Sequence, residues 1–552
     1  MTGDAAMDEW WRGAVIYQIY PRSFQDSNGD GIGDLPGIIQ RLDHVAALGV
    51  DAIWISPFFK SPMADYGYDV EDYRQVDPIF GSLEDLDVLL EHAHARGLKL
   101  LVDLVPCHTS DRHPWFQEAR VSRDNHRADW YVFAEPRPDG TPPNNWLSVF
   151  GGVAWTWEPR RRQYYLHSFL SSQPALNWHN PAVADAVVGE AEFWLERGVD
   201  GFRIDAIDFA LHDEELRDNP VRPRDLALAG GISPATPYAC QVHSRQKSHP
   251  AMPDKVLQPL RALADRYDRA VLLGELSGYD AVDRVAEYTH GGLLNIAYTF
   301  DLLHGEPSAA SVRAVVEALE AKIGAGWACW SLSNHDVTRA ISRFGPAAQA
   351  ADLQPLITAM LCCLRGTICL YQGEELGLTE ADLAFEDLHD PYGIAFYPTF
   401  KGRDGCRTPM PWRRDAPFGG FSSARPWLPL PQDHLARAVD RQEDDPRSVL
   451  ARTRRFLHWR REQPALRTGD IRFVDAPAPV LALVRTHARQ ELLCVFNLGA
   501  EAARFEGEMA LEPVRGHGFE AGLDGASVTL PGYGAFFGTV PPRQGQQGGN
   551  DG

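Results

Sequence analysis

Eight short apolar segments, spaced along the chain as far as residue 371 and separated mostly by helical periodicities, set the strongest limit on how this sequence can fold. They are residues 14–20 (AVIYQIY), 52–56 (AIWIS), 98–105 (LKLLVDLV), 199–207 (VDGFRIDAI), 271–276 (VLLGEL), 295–300 (NIAYTF), 328–333 (ACWSLS) and 367–371 (TICLY). Ahead of the fourth, Ala184, Val187, Val188, Ala191, Trp194 and Leu195 recur at three- and four-residue spacing, and Gly198 ends the run. Another helix opens at Ser82 with Asp85 three residues on, the spacing of a capping box. Further helical patterns cover residues 312–323 and 353–364. Eight strands alternating with helices predict an α/β chain built on a parallel (β/α)8 TIM barrel rather than an open doubly wound sheet.

Two gaps are too long for simple crossovers. Residues 106–175, rich in Trp, Pro, Arg and Asn, read as a subdomain inserted after the third strand. Residues 379–430, rich in Asp, Pro and Gly, read as a smaller insertion. From residue 466 the period changes to two, as in 480–484 and 492–498, which predicts a separate antiparallel β domain to residue 540. The barrel itself is expected over 1–105 and 176–465, with a disordered tail at 541–552.

A formal charge of −22 argues against nucleic acid or an anionic membrane surface as a partner. No apolar run approaches the roughly 20 residues that span a bilayer, and residues 1–9 lack the basic and apolar regions of a secretory signal. The eight cysteines are scattered without framework spacing, and Cys362 and Cys363 read as core thiols, so a reducing cytoplasm is the expected compartment.

In such a barrel, polar residues at the C-terminal ends of the strands point into the site. Here they are Asp103 and His108 after the third strand, Arg203 and Asp205 on the fourth, Glu275 ending the fifth, and His335 and Asp336 after the seventh. Arg203 and Asp205 share a face because a strand repeats every two residues. Alone, that pair reads first as a structural ion pair. With two further carboxylates converging, the set suits acid and nucleophilic work on a glycosidic bond. Asp65 and Tyr68, after the second strand, add hydroxyl-binding groups to the same mouth. Phe150, Phe169 and Phe300 read either as core or as faces for sugar rings. His108 and His335 lack any zinc-ligand spacing. Residues 26–34 (DSNGDGIGD) place oxygen donors at alternate positions like the start of a calcium loop, but Gly37 stands where an EF-hand has its glutamate, and a solvated acidic turn is the other reading.

These residues resemble glycoside hydrolase family 13, the α-amylase superfamily, and within it the α-glucosidase and oligo-1,6-glucosidase branch. The resemblance covers residues 10–540 and rests on DLVPCHTS (103–110), QPALN (173–177), GFRIDAI (201–207), GEL (274–276), SNHD (333–336) and YQGEELGL (371–378). The openings WWRGAVIYQIYPRSF and DSNGDGIGDL, and GRDGCRTPMPW at 402–412, are similar to that branch as well.

The resemblance implies an exo-acting retaining α-glucosidase. Asp205 would be the nucleophile, Glu275 the acid and base, and Asp336 the ligand of the 2- and 3-hydroxyls. Arg203 would keep Asp205 ionised, so that Glu275 has a raised pKa and Asp205 a normal or lowered one. His108 and His335 would bond the first glucose, with Asp65, Tyr68 and Arg403 closing its non-reducing end. One structural calcium or magnesium ion would sit on Asp26, Asn28, Asp30, the Ile32 carbonyl and Asp34, and no organic cofactor is implied. Expected partners are small α-glucosides and sugar or alcohol acceptors, taken by a monomer or homodimer.

Three departures from the family pattern bear on this. Cys107 replaces an asparagine metal ligand of calcium-dependent α-amylases, which argues against a second calcium site. Ala175 removes an aspartate from QPALN. Ala206 is smaller than the valine or threonine usual after the nucleophile, which leans toward α-1,4 or mixed linkage. The same intermediate could instead serve an oligo-1,6-glucosidase, a sucrose hydrolase or a trehalose synthase. A non-enzymatic sugar-binding or partner subunit is the reading from another class, and the presence of all three carboxylates speaks against it.

Overall fold

The computed structural model describes residues 9–508 and 510–539; the expected tail, and nearly all of the N-terminal stretch read for a signal, lie outside the described residues. Eight parallel strands form one sheet: β1 (Val15–Ile19), β2 (Ala52–Ile55), β3 (Lys99–Leu104), β4 (Gly201–Ile204), β5 (Val271–Leu276), β6 (Ile296–Thr299), β7 (Cys329–Trp330) and β8 (Thr367–Tyr371). Each pairs with its neighbour in sequence, and β8 pairs with β1. A parallel bridge from Ala297 to Ala328 joins β6 to β7 and closes the ring. The (β/α)8 barrel is therefore the fold. Every strand sits within its expected segment; β5 and β8 fill theirs, and the others are shorter by one to five residues.

The helices that cover the barrel are α1 (Leu35–Ala47), α2 (Leu83–Ala95), α3 (Pro181–Arg197), α4 (Gln258–Ala264), α5 (Ala281–His290), α6 (Ala309–Ile323), α7 (Ala350–Cys362) and α8 (Val449–Arg461). Ser82 caps α2 through the Asp85 amide while Asp85 returns a bond to the Ser82 amide, as the spacing predicted. Gly198 ends α3 at φ +104°. Three residues on, Gly201 begins β4 at φ +141°, and a Cβ there would lie 2.1 Å from the Val271 carbonyl oxygen. Only glycine lets β4 approach β5 this closely, so this residue sets how near the carboxylates of the two strands come.

Residues 106–175 carry a short helix, Pro114–Ala119, and a three-stranded antiparallel sheet of Phe133–Ala134, Gln163–Leu166 and Trp155–Glu158. A third long connection, which periodicity gave no reason to single out, runs between β4 and α4. It has only 3-10 turns from Ile207–Phe209 to Pro237–Cys240. Beyond α8 the chain forms a five-stranded and a three-stranded antiparallel sheet. No described helix is long and apolar enough to cross a membrane, and the eight cysteines are free thiols.

Arg485, on the strand Val480–His487, fastens the C-terminal sheet to the barrel. Its guanidinium is fully buried and donates to the carbonyls of Cys363 (2.8 Å), Leu364 (2.9 Å) and Gly469 (2.6 Å). Arg485→Met strands these acceptors and is expected to cost roughly 2–4 kcal/mol. Urea unfolding followed by tryptophan fluorescence checks this; an unchanged midpoint would show that apolar packing alone holds the sheet in place.

Candidate active site

Arg203 places the chemistry. It is fully buried on β4, inside the ring of strands. One terminal nitrogen, Nη1, donates to Asp103 Oδ1 at 2.7 Å and to Asp205 Oδ1 at 2.6 Å. The other, Nη2, lies 2.5 Å from Glu275 Oε2 and donates to the Tyr298 hydroxyl at 2.8 Å. Trp54 donates its indole N–H to Asp103 Oδ2 at 2.8 Å and offers its ring to the guanidinium at 4.9 Å. Strands β2, β3, β5 and β6 thus each give one side chain to a single cation carried on β4, and Asp205, directly after β4, completes the set. Directly after Asp205 the chain bends through Ala206 at φ +40°, and its amide donates to Glu275 Oε2 at 3.1 Å. That backbone bond ties the turn of one carboxylate to the side chain of the other.

One cation among three buried carboxylates cannot keep all of them ionised. Burial pushes Asp103 up to about 6, with Arg203 opposing. Burial pushes Asp205 up to about 7, Arg203 again opposing while Asp103 and Asp336 add to the rise. Glu275 goes highest, to about 8, for the same reason with Asp205 and Asp336 beside it. The expected normal or lowered pKa of Asp205 is thus not what this surrounding gives, because burial outweighs a guanidinium shared three ways. The order of the two survives: Glu275 holds its proton to higher pH than Asp205.

Asp336 differs. Burial raises it, but His335, Arg403 and Arg407 together outweigh burial and hold it well below the usual carboxylate range. Arg407 donates to its Oδ1 at 2.8 Å and Arg403 at 3.2 Å. Arg403 also donates to Asp65 at 2.8 Å and to both oxygens of Asp390, at 2.8 and 3.0 Å. Gln173 donates to the other oxygen of Asp65 at 3.0 Å.

A cavity of about 320 Å3 opens over this cluster. Asp65, Tyr68, His108, Phe150, Phe169, Asp205, Glu275, Phe300, Asp336 and Arg403 all line it. The three phenylalanines are half-buried wall residues rather than core. Arg203 and His335 stand behind the wall. His335 is fully buried, its Nδ1 facing Gln18 Nε2 at 2.7 Å and its Nε2 facing the Tyr68 hydroxyl at 2.5 Å. His108 is pushed down to about 4 by burial and is therefore neutral at pH 7.

The residues that sequence reasoning missed come from loops. Ile232, Ser233, Pro234, Tyr238 and Lys247, from the long connection after β4, form the outer wall with Tyr392 and Phe400. No periodicity or motif marks them. Asp390, the bidentate partner of Arg403, carried no signal beyond a generally acidic segment.

In the loop at residues 26–34 the oxygens are engaged by the loop's own groups, by the Ser422 hydroxyl on Asp26 and by the Gly37 amide on Asp34. Asp26 accepts from the amides of Asn28 (2.9 Å) and Gly31 (2.8 Å), and Asn28 and Asp30 accept from amides two residues on. Asp34 caps α1 through Gly37 and accepts from Ser27. An all-oxygen donor set with alternating side chains fits a hard cation. These side chains do not converge as a group of three or more acidic ligands, and no such group occurs among the described residues.

Asp103→Asn tests the charge argument. It removes one anion from around Arg203, so Asp205 and Glu275 are expected to titrate at lower pH. Carboxyl-carbon NMR on the folded variant checks the direction; a rise of either pKa would contradict it.

Residues 18–469 match the family model of the α-amylase catalytic domain. The chain is 53% identical over 536 residues to a Rhizobium meliloti protein named probable alpha-glucosidase, covering 96% of this chain and 97% of that one. It is 36% identical over 541 residues to an oligo-1,6-glucosidase of Heyndrickxia coagulans, covering 91% and 94%. Among solved structures, the α-glucosyl transfer enzyme XgtA superposes with a TM-score of 0.94 at 56% identity, over 96% of this chain and 99% of that one. The trehalulose synthase MutB of Pseudomonas mesoacidophila MX-45 superposes with a TM-score of 0.85 at 32% identity, over 96% and 99%. The barrel, the buried carboxylate cluster and these likenesses place the chain in the α-amylase family of glycoside hydrolases, in its α-glucosidase branch.

Proposed function

We propose that the protein is an exo-acting retaining α-glucosidase that cleaves short α-glucosides and passes glucose to sugar or alcohol acceptors as well as to water. What carries this reading is the pairing of Asp205 and Glu275 on neighbouring nitrogens of one guanidinium. That arrangement supports the close spacing of a retaining pair, roughly 5–5.5 Å, over the roughly 6.5–9.5 Å that leaves room for water in an inverting one.

Asp205, the less basic of the two, attacks the anomeric carbon as its bond to the leaving oxygen breaks. Glu275 gives its proton to that oxygen, leaving a glucosyl ester on Asp205. Glu275, now ionised, takes the proton from an incoming water or acceptor hydroxyl, and the ester bond to Asp205 breaks. Asp336, kept ionised by Arg403 and Arg407, accepts from the 2- and 3-hydroxyls as positive charge grows on the sugar ring. Tyr68 and neutral His108 bond the same glucose. Arg203 and His335 position these groups from behind. Arg403, paired with Asp65 and Asp390 and backed by Phe150 at 4.9 Å, blocks the pocket beyond one glucose, which supports exo action. Ala206 leaves room on the acceptor side and supports α-1,4 or mixed linkage. The likeness to XgtA, titled an α-glucosyl transfer enzyme, supports transfer.

Initial rates on maltose, isomaltose and sucrose test the reading. Glucose is the expected product, and an isomerised disaccharide as main product would replace it with the synthase chemistry named for MutB. Glu275→Gln is expected to lose about 10²–10⁴-fold on maltose, while still releasing nitrophenol from an activated glucoside. Wild-type kcat/KM should fall at low pH as Asp205, near 7, gains a proton, and at high pH as Glu275, near 8, loses one. With the activated glucoside the alkaline limb should vanish in Glu275→Gln; its persistence would remove Glu275 from the acid role.

A hard divalent cation on residues 26–34 and a cytoplasmic setting are part of the same proposal. The loop lies on the first βα connection, away from the paired carboxylates, so the ion's role is structural. Chelation is expected to lower the melting temperature, and calcium or magnesium to restore it; an unchanged melting curve with no metal found by elemental analysis would remove the ion.

A further inference from the structure

The ammonium of Lys247 joins three walls of the cavity at one buried point. It lies 2.7 Å from Asp208 Oδ2, 2.7 Å from the Ser277 carbonyl oxygen and 2.7 Å from Ser277 Oγ. Those are three acceptors for three protons, so no donor is left for a ligand. The Lys247 and Asp208 side chains are 6% and 1% exposed, and the Lys247 ammonium rests on the Phe209 ring at 4.7 Å.

Each partner belongs to a different part of the site. Asp208 is in the 3-10 turn that follows Asp205 and Ala206, the turn whose Ala206 amide holds Glu275. Ser277 is two residues past Glu275, where β5 leaves the barrel. Lys247 belongs to the long connection after β4, which also supplies Ile232, Ser233, Pro234 and Tyr238 to the outer wall. The Ser248 amide donates to the Asp208 carbonyl at 2.7 Å, and the Ser277 amide donates to Asp208 Oδ2 at 3.3 Å. Gly278 adjoins this point at φ +98°, where a Cβ would stand 2.9 Å from the Lys247 ammonium. A free cation in this place would have turned to the solvent of the cavity. This one is turned inward, toward backbone.

We propose that Lys247 is a positioning residue for the acceptor side: by clamping Asp208 and Ser277 it fixes the outer wall against the turn that carries Asp205 and the strand exit that carries Glu275, and so sets how well a sugar or alcohol competes with water for the glucosyl-enzyme. The inference rests on the double-displacement reading above. Arg203 and the wall around Asp65 and Arg403 hold the donor glucose without help from Lys247. The acceptor meets the wall built from the long connection, and an acceptor is more sensitive than water to a misplaced wall, because it has more atoms to orient.

The test uses nitrophenyl α-glucoside as donor and glycerol or glucose as acceptor. Nitrophenol release reports formation of the glucosyl-enzyme, and the ratio of transfer product to free glucose reports partition. Lys247→Met leaves the Asp208 charge buried without a partner, so the neutral double variant Lys247→Met/Asp208→Asn and the mild Ser277→Ala keep the test open where the single variant fails to fold. In the double variant the transfer-to-hydrolysis ratio is expected to drop about tenfold, a larger loss than that of nitrophenol release. Ser277→Ala should shift the ratio in the same direction by less, and Lys247→Arg should recover part of it. An unchanged ratio in both the double variant and Ser277→Ala would overturn the proposal, as would equal losses in release and transfer. Absence of nitrophenol release from the wild-type enzyme would instead overturn the underlying reading.

Discussion

A single guanidinium, sealed inside the barrel and bonded to the carboxyls of three neighbouring strands, is the constraint on which this structure depends. Burying Arg203 alone would cost several kcal/mol, and the cost is offset only because Asp103, Asp205 and Glu275 surround it with good geometry. The arrangement has a chemical consequence that a looser cluster would not have. Burial raises all three carboxyls against one guanidinium, and Glu275 goes highest, to about 8. The difference between Asp205 and Glu275 follows burial first, with the shared guanidinium opposing it in both.

The second cluster sets two cations among three carboxyls. Arg403 and Arg407 stand among Asp65, Asp336 and Asp390, and with His335 close by they hold Asp336 down. Asp390 is likewise held below the usual range, burial being outweighed by Arg403. Two carboxylate groups in one pocket thus have opposite protonation habits, one suited to giving a proton and one to receiving hydroxyl groups. Both arginines come from the segment after β8, which means that the insertion is not a decoration on the barrel. It supplies the cations that close one end of the cavity.

Much of this was legible in the sequence, and the reason is local. The strands read correctly because segments such as VLLGEL at 271–276 are apolar except for the site residue Glu275, and Gly198 and Ser82 mark helix ends by capping chemistry that acts over three residues. Asp205, Glu275 and Asp336 were found because a barrel strand must end at the site. What stayed hidden depends on distant parts of the chain. The raised pKa of Asp205 comes from burial plus Asp103 on another strand. The retreat of His335 behind Tyr68 needs Gln18 from β1. The outer wall at Ile232–Ser233–Pro234 comes from a connection with no period and no motif, where only tertiary contacts decide the path.

On the proposed double displacement, Asp205 and Glu275 lie close enough across the sugar for Asp205 to bond the anomeric carbon directly. Proton NMR of the glucose released from nitrophenyl α-glucoside, whose leaving group has no anomeric carbon, gives the answer when recorded before mutarotation. Two displacements in sequence predict the α-anomer at early times, relaxing to the equilibrium mixture. The β-anomer as first product would mean that water attacks in a single step, with no glucosyl ester on Asp205.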